Sequence, residues 1–319
     1  METRRLELLA ELSRLGSMRA VAEALGTTTS TVSQQIAALA REMGTPLIEP
    51  HGRRVRLTPA GRRLAEHAVT ILAAVESAQL DLMPGAQPSG TVRVAGFATA
   101  IRTVLLPVIS GLAASHPQVR VLIREHEPAE ALQLLAADLA DLALTYDYNL
   151  APAAAGDPAI RRMPLWTTRW ALGVPARETA ARGGTTLEEF ARFRAQDWIG
   201  NSRNTADEDV IRTVASMAGF TPRITHQADS LELVQDMITA GLGVGLLPAG
   251  PAASPRVRRI PLDGPQVRLR AYAAIRHGHL SWPPLALMIR LLRRAAAAGS
   301  VTGDLAAVDV DDLAGDVGR

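Results

Sequence analysis

The sequence predicts a multidomain α+β chain: a small, mostly helical N-terminal domain carrying a long helix, then a larger α/β domain. Three observations predict it. Apolar residues recur at helical spacing in successive stretches before residue 83. The run Met83-Pro84-Gly85-Ala86-Gln87-Pro88-Ser89-Gly90 then breaks all periodicity and marks a domain boundary. Beyond it, short β-branched runs alternate with helical patterns, which implies a parallel sheet covered on both faces.

Composition narrows the class. The 319 residues suffice for a small domain plus a larger one of two lobes, and 47% of them are hydrophobic. No apolar run reads as long enough to span a bilayer, and the amphipathic start METRRLELLAEL fits neither a signal nor a transit peptide, so a cytoplasmic protein with no membrane partner is expected. The absence of cysteine removes disulfides, thiolate metal sites and cysteine nucleophiles. All 34 basic residues are arginine, and the net charge is only +2. The pI near 9.6 therefore overstates basicity, because arginine keeps its proton far above pH 10. Local charge is more telling. Arginines 41, 53, 54, 56, 62 and 63 face only Glu42 and Glu49 in the same stretch, whereas residues 300 to 319 carry aspartates 304, 309, 311, 312 and 316 against Arg319. A basic patch of that kind suits nucleic acid.

Taken in order, Leu6, Leu9, Leu12 and Leu15 mark a first helix. Ser17 to Ile36, SMRAVAEALGTTTSTVSQQI, holds two short helical patterns joined at Leu25-Gly26-Thr27, with Thr27 or Thr28 placed to cap the second. This is the form of a helix-turn-helix. Thr29, Ser30, Ser33 and Gln34 fall on the exposed early face of the second helix, where a recognition helix reads base edges, and Gln can pair bidentately with adenine. Thr28 joins the candidate backbone contacts. The segment HGRRVRLTPAG predicts a β-wing turning at His51-Gly52, with Arg53, Arg54 and Arg56 suited to phosphate contact. Thr58-Pro59 starts a long helix, a capping hydroxyl followed by proline at the first helical position. Along it Leu64, Ala68, Ile71, Val75, Ala78 and Leu82 step by fours and threes. That heptad seam predicts pairing with a second copy of the chain.

The segments GSMRAVAEALGTTTSTVSQQIAALAREMGTPLIEP and GRRVRLTPAG resemble those of LysR-type transcriptional regulators in order and spacing, and the resemblance extends from residue 1 to about 300. Two positions depart from the family's pattern: Gln34 stands where arginine is frequent, and Pro50 where a basic residue is common. The resemblance implies a winged helix-turn-helix over 1–61, a linker and dimerisation helix over 58–83, a hinge over 84–90, and an effector domain over 91–300 of the periplasmic-binding-protein kind. Lobe one of that domain would take 91–162 and 267–298, and lobe two 163–266. Residues 301–319, small, acidic and aperiodic, are expected to be disordered. The implied partners are double-stranded DNA, further copies of the chain in a dimer or tetramer, a small-molecule effector and RNA polymerase.

In such a domain ligands sit at strand C-termini and helix N-termini, where free amides suit carboxylates. Thr99 with Ala100, the run Asn201-Ser202-Arg203, and His226 stand at three such places. Thr99, Ser202 and His226 are the positions carried over from the family. Asp147, on a strand end between two tyrosines, could meet an ammonium group. Together they suggest a small carboxylate or an amino acid. No cofactor, metal site or catalytic constellation is expected: His277 and His279 lack further ligands nearby, and without lysine no phosphate-binding lysine loop exists. A ligand-responsive transcription factor follows. The alternative is a solute-binding module whose N-terminal helices contact protein instead of DNA.

Overall fold

A computed structural model of the chain describes residues 2–51, 54–83, 87–154, 156–178, 184–250, 254–301 and 306–307. In the N-terminal domain, α1 (Thr3–Leu15) packs behind α2 (Met18–Ala24) and α3 (Thr29–Met43). Ser17 caps α2 by accepting from the Ala20 amide, and Thr28 caps α3 by accepting from the Thr31 amide at 3.2 Å. Gly26 makes the turn between them with φ +59°, a conformation that costs a side-chain-bearing residue. The predicted stripes become the core: Leu6, Leu9, Leu12, Val21, Val32, Ile36 and Leu39 are all buried. Each such burial is worth about 1.5–3 kcal/mol.

The wing is the antiparallel pair β1 (Ile48–His51) and β2 (Arg54–Leu57), in register Ile48 opposite Leu57. Helix α4 (Pro59–Leu82) follows, started by Thr58, whose hydroxyl accepts from the Gly61 amide at 3.0 Å and donates to the Pro46 carbonyl at 2.8 Å.

In the larger domain, β3 (Gly90–Gly96), β4 (Val119–Glu125) and β5 (Leu142–Tyr148) run parallel. They are joined through α5 (Ala98–Ala100), a π turn over Ile101–Leu105, α6 (Leu106–Ser115) and α7 (Pro128–Ala136). By length and composition the Ala98–Ser115 stretch could cross a membrane, which corrects the expectation that no apolar run is long enough. Here its Val104, Leu105, Val108 and Leu112 are buried in the core of the α/β domain. The second lobe holds α8 (Thr186–Arg192), β7 (Asp197–Gly200), α9 (Ala206–Met217), β8 (Arg223–Gln227), α10 (Leu231–Thr239), β9 (Val244–Pro248) and β10 (Val257–Pro261). β11 (Arg268–Arg276) and α11 (Pro283–Val301) return to lobe one.

Three expectations change. The sheets are mixed, not purely parallel, because β6 (Ile160–Pro175) and β11 run antiparallel to their neighbours. β6 is one continuous strand: Ile160–Arg169 pair with β11 in lobe one, and Trp170–Gly173 pair with β9 in lobe two. The boundary between lobes therefore lies near residue 169, not 162, since backbone pairing and not the start of an apolar run decides which sheet a residue joins. Of the acidic tail, only Ala306 and Ala307 lie among the described residues, and they pair with Thr167 and Trp166 as β12, so the tail is not wholly unpaired. The hinge residues 84–86 lie outside the described residues.

Candidate nucleic-acid interface and inter-lobe cleft

The proposed reading face is exposed as predicted. Thr29, Ser30, Ser33 and Gln34 all face solvent on α3, while Val32 and Ile36 on the opposite side are fully buried. The Thr28 hydroxyl pairs with those of Ser30 and Thr31 at 2.9 and 2.8 Å, which holds the first turn in place. No charge falls among these side chains. The wing supplies less free charge than the arginine count suggests. Arg56 donates to Glu49 across the hairpin at 2.6 Å, so it is already paired. Arg53 lies outside the described residues, and of Arg54 only the backbone is described. Arg41 and Arg63 of the predicted basic patch are exposed and add positive charge beside the wing.

The heptad seam splits in two. Ala68 is fully buried in the N-terminal domain's own core, with Leu64 and Ile71 packed against it. Ala68 is thereby closed to a second copy, while Leu64 and Ile71 are only partly covered. Val75, Ala78 and Leu82 are exposed, Leu82 by 82%.

Between the lobes lies a cavity of about 430 Å³. Its floor and walls are aromatic: Phe97 and Tyr146 from lobe one, Trp166 and Trp170 from β6. Phe97, Tyr146, Tyr148 and Trp170 stack edge to face, with centroids 4.7, 6.2 and 5.4 Å apart in turn. Polar groups come from strand ends and helix starts: Thr99 before the π turn, Glu127 before α7, Asn201 after β7, Asp207 in the first turn of α9, and Asp229 before α10.

Several ties cross from lobe to lobe at this place. The Tyr148 hydroxyl donates to Asp207 at 2.6 Å, and Asn204 donates to Glu127 at 2.5 Å. Arg203, held by Asp229 of its own lobe at 3.1 Å, donates across to Glu125 at 3.1 Å. The carboxyl groups are strained electrostatically. Burial, reinforced by Asp229 and Asp207, pushes Glu127 up to about 7 against the opposing hydrogen bond from Tyr146 and the Arg203 charge. Burial likewise pushes Asp207 up to about 6. Asp229 moves the other way. Hydrogen bonds from the Ser202 hydroxyl and amide and from Arg203 outweigh its burial and hold it below the usual range.

Of the predicted effector residues, Thr99 and Asn201 line the cavity. The others do not. Ala100 is fully buried in the core, and His226 sits half-buried on strand β8. Ser202 and Arg203 stand behind the lining and are bound to Asp229. Asp147 points to the opposite face of β5 from Tyr146 and Tyr148, because strand side chains alternate. There it pairs with Arg270 at 2.8 Å and accepts from Tyr272 at 3.2 Å. Glu127 and Asp207 were missed. The rule applied to Thr99, a polar residue between a strand end and a helix start, would have found Glu127 as well.

Comparison with known proteins agrees with this arrangement. Residues 3–62 match the model of bacterial regulatory helix-turn-helix proteins of the lysR family, and residues 85–297 match the LysR substrate binding domain. The transcriptional dual regulator GltC of Bacillus subtilis is 28% identical, over 75% of this chain and 79% of its own length. Among solved structures, a full-length OxyR variant of Pseudomonas aeruginosa superposes with a TM-score of 0.65 at 20% identity, covering 93% of this chain and 97% of that one. Full-length CbnR in complex with its target DNA gives 0.51 at 22% identity, covering 93% and 100%.

Proposed function

Since the chain belongs to the LysR family of DNA-binding transcriptional regulators, we propose that it reads a specific duplex sequence through α3 and that a small molecule in the inter-lobe cleft modulates this binding. The observation that carries the first part is the set of four exposed polar side chains on the early turns of a helix whose other face is sealed in a core. An uncharged reading face supplies sequence discrimination, and arginines around it supply phosphate contact. The cleft supports the second part, because ties made only when the lobes are closed give an occupant something to change. A ligand shifts the equilibrium only by its difference in affinity for the two arrangements.

The chain acts as a dimer or tetramer in this reading. Val75, Ala78 and Leu82 on α4 offer one face for a second copy. Exposed Leu106, Leu122 and Ile123 on lobe one, with Met217 and Leu233 on lobe two, offer another. Binding to DNA places it in the cytoplasm.

Duplex affinity measured across salt concentrations tests the DNA reading. Log affinity is expected to fall linearly with log salt, by about 0.9 per phosphate contact. Ser33→Ala and Gln34→Ala should reduce discrimination between cognate and mismatched sites by about 1–3 kcal/mol per lost base pairing. Arg54→Ala should weaken all sequences alike. A flat salt response would instead favour a solute-binding module that contacts protein.

A further inference from the structure

Charge in the cleft runs against a purely anionic effector. Among the residues lining the cavity, the charged side chains are Glu127, Asp207 and Asp229, and none is basic. Asp229 is already satisfied by the Ser202 amide at 2.9 Å and the Arg203 guanidinium at 3.1 Å. Arg203 turns toward Asp229 and Glu125 and comes no nearer than 3.9 Å to Glu127 Oε1. Among the described residues, Glu127 thus has only a long pairing with Arg203 at 3.9 Å, and no ion pair is recorded for Asp207, although the two are only 5% and 9% exposed. Tyr146 and Asn204 donate to one oxygen of Glu127, and Tyr148 donates to Asp207. These neutral donors orient the two carboxylates without cancelling their charge.

Resting on the reading of the cleft as the effector site, we propose that its occupant is an organic cation, an ammonium or guanidinium group on an apolar body, seated between Glu127 and Asp207. Two buried carboxylates in one low-dielectric space repel each other and favour an opposite charge brought between them. The walls suit the same guest, since Trp and Tyr faces attract a desolvated cation. Leu231, Val234 and Leu269 meet its apolar part. A bare metal ion fits less well, because among the described residues no group of three or more His, Cys, Asp or Glu side chains is placed to hold one. The start of α9 gives no free anion site either. Asp207, Glu208 and Asp209 occupy its first turn and already offset the helix dipole.

Proton competition gives the proposal a second signature. The groups facing Glu127 are Tyr146 of β5, Arg203 and Asn204 before α9, Asp207 within it, and Asp229 before α10. Only the ionised form of Glu127 attracts a cation, so amine binding must expel the proton that burial retains near neutrality.

The test uses the full chain with agmatine and n-butylammonium as cations, and butyrate and glutarate as anions, by thermal shift and calorimetry. The amines are expected to raise the melting temperature at pH 8 and to bind up to about tenfold more weakly at pH 6, one decade per pH unit while one proton must be expelled. Glu127→Gln should weaken amine binding at least tenfold and flatten its pH dependence. Binding by the carboxylates with none by the amines overturns the proposal, as does binding by neither. So does an unchanged amine affinity in Glu127→Gln. If that variant fails to fold, the amine and carboxylate series on the native chain decides alone. Duplex binding measured on the same preparation separates the two levels. Its loss tells against the regulator, and its retention beside a failed amine series tells against the cation only.

Discussion

At Gly61 the absence of one methyl group fixes how the long helix meets the wing. A Cβ there would stand 2.0 Å from the Leu47 carbonyl oxygen, which is backbone and cannot step aside. Gly61→Ala is therefore expected to force α4 away from the β1 approach, lowering the melting temperature of the N-terminal domain and abolishing duplex binding. Circular dichroism and a binding assay would show both effects. Glu127 makes a second residue-level case, through pH. Its folded value near 7 lies above its ordinary one, so the folded state holds the proton more tightly. That contribution to stability is complete below the ordinary carboxylate range and is lost as pH rises through about 7. Stability should fall by up to about 3 kcal/mol between pH 5 and pH 8. Denaturant melts of Glu127→Gln should show a shallower fall, with the remainder carried by Asp207.

Among the elements, α4 shows where a sequence pattern and its cause part company. The stepping from Leu64 to Leu82 is real, but a helix repeats its apolar face whether the cover is its own domain or a second chain. Sequence spacing does not say which; the structure puts Ala68 in the domain's own core and leaves Val75, Ala78 and Leu82 exposed. Ala68→Asp should unfold the N-terminal domain, since it places a charge in a closed core. Leu82→Arg should leave that fold intact and weaken self-association, as sedimentation at several concentrations would reveal. The helix-turn-helix was far more legible. Its caps, its Gly26 turn and its buried stripe are local features, each written in a few adjacent residues. The arginine wing was legible only as charge. The pairing of Arg56 with Glu49 depends on strand register, which the sequence does not print.

For the whole molecule, the order of helices and strands followed from periodicity, and the cleft from the resemblance to the family's two-lobed effector domain. Its chemistry was hidden. Thr99 and Asn201 were found because they stand between a strand end and a helix start, Thr99 also by the family resemblance. Asp147 was misplaced because alternation along a strand depends on which side the sheet is covered. Trp166 and Trp170 lie on one strand, and only the crossing of that strand between the sheets makes them cavity walls.

That crossing strand also limits how the two halves can move. With β6 belonging to both sheets, the lobes are joined by a hydrogen-bonded beam, not a loose strap. Such a beam resists bending and yields more readily to twist. A guest in the cavity would thus wind the lobes by a small angle instead of swinging them shut like jaws. If the cleft holds the effector, as proposed, what reaches the rest of the chain through this shared strand is a torque.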